Sequence, residues 1–368
     1  MKRYLLVLLV VLPLFSQTAP PPLILSPEVA SDGRVTFRLR APNAKEVLLS
    51  REGAPRQPMQ QDDKGVWSVT TDALPPDYYG YTFVVDGVGT LDPSNWLMKP
   101  NLQNPSSMVH VPGPSTLPWE LNNIPHGEVH RHLYHSAVAS DDRDFYVYTP
   151  PGYDPGAKKL YPVLYLLHGY SDDARGWTDA GFANVILDNL IAQGKAKPML
   201  VVMPLGYGAM EFVMRGGPGF RDPSLRDKSF HRFRDALLTE VIPTVEKEYR
   251  VATDRNSRAI AGLSMGGAES LFVGLNALNR FAYIGAFSSG GLPDDLATVF
   301  PNLDAKSAAG LRLLWIACGT DDRLIDTNRK IREWLTSKQV KHTDIETPGA
   351  HVWMVWRRNL AEFAPLLF

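Results

Sequence analysis

Cysteine is almost absent: Cys318 is the only one in 368 residues, so no disulfide can form within the chain and stability has to come from packing. Lying just after the apolar run 311–317, Cys318 reads as a buried small hydrophobe. Excess charge of either sign is missing too, with 38 Lys and Arg against 39 Asp and Glu. That balance argues against nucleic acid or an anionic membrane surface as the main partner. Long apolar runs are confined to the start, where Met1-Lys2-Arg3 precedes an apolar stretch over 4–15 and then Ser16-Gln17-Thr18-Ala19. This is the pattern of an export signal over 1–19, too short to span a bilayer, and the mature chain is expected to be secreted or periplasmic with no membrane partner. Metal-ligand spacing is also lacking. His126, His130, His132 and His135 crowd together without a cysteine or carboxylate at structural-zinc spacing. The glycine-rich stretches 206–208 and 216–219 lack the Lys-Ser/Thr ending of a phosphate loop. Neither metal nor cofactor is expected, and the histidines read as surface groups near a linker.

What is present is ample apolar material, 44% of the residues, in a chain long enough for two domains. Over 23–113 the apolar residues alternate with polar ones: Val35, Phe37 and Leu39, then Trp67 and Val69, then Tyr79, Tyr81, Phe83 and Val85. With Asp86-Gly87 as a hairpin turn, this region reads as a small all-β sandwich. Proline and glycine crowd 114–128, read as a stiff linker. From 129 to 368, strand-like runs at 144–148, 161–167, 199–203, 259–263, 283–288 and 311–317 alternate with helical patterns at 183–192, 230–249, 268–278, 326–338 and 355–365. That alternation predicts a three-layer α/β sandwich with its site beyond the carboxyl ends of the strands.

Gly262-Leu263-Ser264-Met265-Gly266-Gly267 sits between such a strand and such a helix. A sharp strand-to-helix turn lifts a serine hydroxyl clear of the sheet, and only small neighbours let the backbone fold so tightly, so the hexapeptide reads as a nucleophile elbow. The hydroxyl needs a base and a group to orient that base. Gly319-Thr320-Asp321-Asp322 supplies carboxylates after a late strand, and Pro348-Gly349-Ala350-His351 supplies an imidazole before the last helix. The order Ser, Asp, His is that of the α/β-hydrolase arrangement. His342, within a strand and with no glycine turn to present it, is the weaker histidine. Charge on a carbonyl oxygen would be met by the backbone N–H groups of Met265 and, after Leu166-Leu167-His168-Gly169, of Tyr170. The ring of His168 is expected to brace that loop. Trp177, Tyr207, Phe212, Trp353 and Trp356 are aromatic candidates for an apolar substrate slot.

The segments Tyr148-Thr149-Pro150-Pro151-Gly152-Tyr153, Leu167-His168-Gly169, 189–195, 202–208, 262–267 and 351–356 make the region from about Arg143 onward resemble carbohydrate esterase family one, which includes feruloyl esterases, acetyl xylan esterases and enterochelin-esterase-like proteins. The resemblance implies a Ser264–His351–Asp322 triad, with the acid at Asp322 because it fills the fourth place of Gly-Thr-x-Asp, leaving Asp321 solvated or capping. Arg40-Ala41-Pro42-Asn43-Ala44, Gly65-Val66-Trp67 and Asp92-Pro93-Ser94-Asn95 make the front region similar to an immunoglobulin-like carbohydrate-binding module of family 48. Together they imply an exported esterase releasing ferulate from arabinoxylan, its partner an acylated plant cell-wall polysaccharide or oligosaccharide. An acetyl xylan esterase, a siderophore esterase and a non-catalytic carbohydrate-binding protein are the alternatives. Trp67, Tyr79 and Tyr81 are open to two readings, sugar platforms or sandwich core.

Overall fold

Val35, Phe37 and Leu39 alternate with Thr36, Arg38 and Arg40, and in the computed structural model the first three are buried in a strand, Val35–Arg40. The structure describes residues 23–214, 216, 217 and 219–368, so the export signal expected over 1–19 lies outside the described residues. Two antiparallel sheets stack over 28–111. One runs in the order Glu28–Val29, Val35–Arg40, Val66–Thr70, Gln60–Gln61, and the other Gln57–Pro58, Val47–Arg51, Asp77–Val85, Ser106–Val111, Met98–Lys99. Phe37, Leu39 and Trp67 from the first meet Leu49, Tyr81, Phe83 and Val109 from the second in one apolar cluster. Asp77–Val85 turns into Val88–Thr90 through Asp86 and Gly87 at φ 47° and 87°, the left-handed pair that a two-residue hairpin requires. Trp67, Tyr79 and Tyr81 belong to this core, so the sandwich reading is the one their burial supports.

The third sheet holds eight strands: β1 (Glu128–Ser136), β2 (Asp141–Thr149), β3 (Val163–Leu167), β4 (Leu200–Pro204), β5 (Arg258–Leu263), β6 (Tyr283–Phe287), β7 (Leu313–Gly319) and β8 (Thr343–Thr347). Their order is β1-β2-β4-β3-β5-β6-β7-β8, antiparallel over the first three and parallel thereafter. Strands such as β3 are apolar throughout because both faces are covered. Val163, Tyr165 and Leu167 enter one cluster, with Phe233 of α2 (Pro223–Ala236), Val245 of α3 (Ile242–Glu248), Leu271 of α4 (Met265–Asn276) and Leu335 of α5 (Ile325–Ser337). Leu164 and Leu166 enter the opposite cluster, with Ile186 of α1 (Ala183–Ala192) and Leu360 of α6 (Trp353–Phe363). The result is a three-layer α/β-hydrolase sandwich. Among the described residues no helix is long and apolar enough to cross a membrane.

Three local readings need correcting. The helix expected at 230–249 begins earlier, at Pro223, because Asp222 caps it by accepting the Ser224 and Leu225 N–H groups; the first turns are too polar for periodicity to reveal. The stretch 114–128 is no free linker. Trp119 and Glu120 are buried, Asn122 donates to Asn189, and His126 pairs with Asp188. The other histidines lie on β1, where His132 stacks on Phe145 and its Nε2 lies 2.6 Å from the Tyr249 hydroxyl. Among the described residues no His, Cys, Asp and Glu group is arranged to hold a metal.

The two sandwiches are welded together. Met354 of α6 enters the front core, while Tyr78, Met108 and Trp119 join the apolar cluster under α1 and α6. Beneath them lies a fully buried ion pair, in which Arg357 donates to Asp77 Oδ1 from Nε at 3.0 Å and Nη2 at 2.6 Å, and to the carbonyls of Tyr78 and Ala180. Removing one partner strands the other charge without water. Asp77→Ala is therefore expected to cost about 3–5 kcal/mol of unfolding free energy, measured by urea denaturation; a loss below about 1 kcal/mol would mean the guanidinium finds solvent.

Candidate active site

β5 ends at Leu263 and α4 begins at Met265, leaving Ser264 alone to make the turn at φ 52°, ψ −115°. A non-glycine residue there is strained, and such strain persists only where the surroundings enforce it. They do so here. Ser264 N–H donates to Phe287 O at 2.8 Å, and its carbonyl accepts from Gly290 and Ala268 N–H, both at 3.1 Å. A Cβ on Gly262 would stand 2.5 Å from Gly266 O, and one on Gly266 would stand 2.4 Å from His168 O. Both glycines are thus required by close backbone approach.

His351, in the turn before α6, brings Nε2 to 3.0 Å from Ser264 Oγ. Its Nδ1 lies 2.8 Å from Asp322 Oδ2, in the loop after β7. Asp322 Oδ1 accepts Leu324 N–H at 2.8 Å. Burial pushes the Asp322 carboxyl up, but the hydrogen bond and charge of His351, with the Leu324 N–H, outweigh it and hold the group below its ordinary value. Asp321 is exposed, with its Oδ2 3.5 Å from Thr320 Oγ1. The Trp356 ring stands edge-on to the imidazole at 4.9 Å, and its Nε1 donates to Ser288 Oγ. His342 sits before β8, at the opposite end of that strand, beside Val340 O and Asp344. Cys318 is buried in β7, and burial pushes its thiol up to about 12, which leaves it unreactive.

Met265 opens α4, so its N–H is one of the helix's unpaired first-turn donors. Gly169 lies beside it across the site, where a Cβ would be 3.4 Å from Ser264 Cβ, and Tyr170 follows. Among the described residues neither the Met265 nor the Tyr170 N–H donates to a loop or cap carbonyl. His168 braces this loop with both ring nitrogens: Nδ1 donates to Gly169 O at 2.8 Å, and Nε2 accepts Gly206 N–H at 2.9 Å. Burial holds the imidazole below its ordinary value, and the accepted Gly206 N–H needs the neutral ring.

Ser264 and His351 open into a cleft of about 630 Å³. Trp353 and Trp356 line it, with Tyr170, Leu263 and Leu324. Trp177, Tyr207 and Phe212 do not. Each is fully buried, Trp177 donating Nε1 to Leu167 O and Tyr207 its hydroxyl to Asp172 O, so they support the site loops rather than face a ligand. The aromatic ring that does face the cleft is Phe220, beyond the glycine-rich stretch 216–219. An aromatic directly after a glycine-rich loop on the active-site side is the available signal. Arg226 and Arg323 also line the cleft, and so do Glu52, Lys99, Asn101, Gln103 and Asn104 of the front sandwich. Nothing local in their sequence points there.

Residues 136–367 match the Esterase family model. An endo-1,4-beta-xylanase/feruloyl esterase of Xylanibacter ruminicola is 31% identical over 350 residues, spanning 93% of this chain. The chain covers only 46% of that relative's length. A solved ferulic acid esterase is 28% identical with a TM-score of 0.55, covering 66% of this chain and 97% of its own. The enterobactin esterase of Shigella flexneri, 18% identical, shares the fold over 90% of this chain and 92% of its own with a TM-score of 0.66. With the matched region taking in the elbow, the aspartate loop and the histidine turn, the chain belongs to the Esterase family and has the α/β-hydrolase fold.

Proposed function

We propose that this protein is an exported carboxylic-ester hydrolase that releases hydroxycinnamate, ferulate above all, from arabinoxylan through an acyl-enzyme. Ser264 Oγ attacks the ester carbonyl while His351 Nε2 takes its proton, and Asp322 holds the imidazole in the tautomer that leaves Nε2 free to accept. The oxyanion lies against the N–H groups of Met265 and Tyr170. His351 then protonates the departing sugar oxygen, and a water deprotonated by the same imidazole frees the acid. The observation that carries this reading is the unbroken line from Asp322 Oδ2 through His351 to Ser264 Oγ, at 2.8 and 3.0 Å.

For the acyl group, the support is the wall of Phe220, Tyr170, Leu263 and Trp356 beside Ser264, which suits a flat phenolic ring better than an acetyl. The relatives named for feruloyl esterase activity point the same way. The front sandwich is proposed as a carbohydrate-binding module of the family 48 type, presenting the polysaccharide to the cleft it borders. A second reading rests on Lys99, Arg226 and Arg323, three cations lining the cleft, which would favour an anionic catecholate ester.

Methyl ferulate, acetylated xylan and enterobactin, compared at equal enzyme concentration, decide between these. kcat/KM for methyl ferulate is expected to lead by about tenfold or more, the order of discrimination that a fitted apolar pocket supplies. A lead for acetylated xylan or enterobactin assigns the site to that substrate instead.

A further inference from the structure

The turn that carries His351 does not cap its own helix. Val352 occupies the N-cap position of α6 and has no side chain that can accept a hydrogen bond. The acceptor comes from the front sandwich, 301 residues away, where Glu52 Oε1 takes the Trp353 N–H at 2.9 Å. Glu52 Oε2 accepts Gly80 N–H at 3.1 Å and faces Lys99 Nζ at 3.7 Å, so the carboxylate is fixed at both oxygens. Burial pushes this carboxyl up, yet Lys99, the Trp353 N–H, Arg357 and the Gly80 N–H hold it below its ordinary value. An ionised carboxylate is what a helix N-terminus favours.

A second clamp grips the opposite wall of the cleft. Asn101 Nδ2 donates to Ser171 Oγ and Asp172 Oδ1, both at 3.0 Å, and Leu102 N–H donates to Ser171 O at 2.7 Å. Gln103 Nε2 reaches the Tyr170 hydroxyl at 3.3 Å and Val213 O at 2.7 Å. Asn101 is itself fixed, because its Oδ1 accepts the N–H groups of Gln103 and Asn104 at 3.0 and 2.8 Å. Three consecutive front-sandwich residues therefore hold 170–172, the loop that presents the Tyr170 N–H.

We infer that Glu52 and Asn101 are positioning residues for hydrolysis: the front sandwich fixes the His351 turn and the Tyr170 N–H against each other, whether or not it touches substrate. The inference rests on the roles proposed above for Ser264, His351 and Tyr170. Both gripped segments are loops, and a site built on loops is only as well aligned as the groups that support it. Oxyanion donors work within a few tenths of an ångström, and a 1 Å misplacement costs on the order of 100-fold in rate.

The test uses the full chain and p-nitrophenyl acetate, which carries no sugar for the front sandwich to bind. Asn101→Asp keeps the Oδ1 acceptor for Gln103 and Asn104 but removes the donor to Ser171 and Asp172. Glu52→Ala removes the cap on Trp353, whereas Glu52→Gln keeps an acceptor there. N101D and E52A are expected to lower kcat by roughly 10- to 100-fold with KM within about threefold of wild type, while E52Q recovers most of the E52A loss. Thermal unfolding identifies any variant that fails to fold, and the variant that folds then decides. If folded N101D and E52A keep kcat within about twofold, or lose only KM, while Ser264→Ala is inactive, the positioning role is overturned and the hydrolytic reading stands. Normal turnover by Ser264→Ala overturns both.

Discussion

Ser264→Ala is expected to lower kcat for a small aryl ester by about five to six orders of magnitude, with the fold left standing. The hydroxyl is the only group in the elbow that the substitution removes. Among the described residues its one side-chain hydrogen bond is to His351 Nε2 at 3.0 Å, so no buried donor is stranded. Alanine inherits the same strained backbone at φ 52°, and the three main-chain hydrogen bonds of residue 264 to Phe287, Gly290 and Ala268 persist. Unfolding free energy should therefore move by less than about 1 kcal/mol. Binding and the two N–H groups proposed for the oxyanion remain, which is why about 10³-fold acceleration over water is expected to survive. A fluorophosphonate probe should label the wild type and not the variant, which also separates a working hydrolase from a carbohydrate-binding protein on a retired scaffold. An unchanged rate would place the nucleophile elsewhere and remove the assignment of His351 and Asp322 with it.

What could be read from the residues, and what could not, divides along a physical line. The elbow was legible because its demands are local: Gly262 and Gly266 stand where any Cβ would strike a carbonyl within 2.5 Å. The strands were legible because both faces of β3, β5 and β6 are covered, so short apolar runs had no other use. The placement of Asp and His candidates followed from strand ends in an α/β sheet, and Asp322 lies at hydrogen-bond distance from His351. Aromatic residues were harder, since large rings are used for core and pocket alike. Trp177 and Tyr207 are buried supports, while Phe220, which lines the cleft, follows a glycine-rich loop and belongs to no apolar pattern. Glu52 and Asn101 were beyond reach. Their importance lies in Trp353 and Asp172, which are distant in sequence, and no periodicity or spacing encodes a contact between two domains. The same holds for Asp77 and Arg357, whose neighbours in sequence are unremarkable and whose pairing seals the interface.

Asp322→Asn is expected to lower kcat by about four orders of magnitude, whereas Asp321→Asn should stay within about twofold of wild type. The large loss follows from where each oxygen of residue 322 points. Oδ1 accepts the Leu324 N–H at 2.8 Å, so an asparagine must keep its carbonyl oxygen on that side and turn its NH₂ toward His351. Facing a donor, His351 Nδ1 has to become the acceptor, which moves the ring proton to Nε2. Nε2 then donates toward Ser264 Oγ and can no longer take its proton. The geometry survives and the base is lost. Protonation offers no milder route to the same state at working pH. The Asp322 carboxyl is held below its ordinary value, so the stability its hydrogen bonds contribute is present above about pH 4 and is lost only as pH falls further, through the folded-state pKa. No fall in rate between about pH 5 and 8 should therefore trace to this carboxyl. Asp321 is exposed and is not among the residues that line the cleft. A large loss in Asp321→Asn with a small one in Asp322→Asn would exchange the two residues, and equal small losses would mean that the imidazole is oriented by some other group.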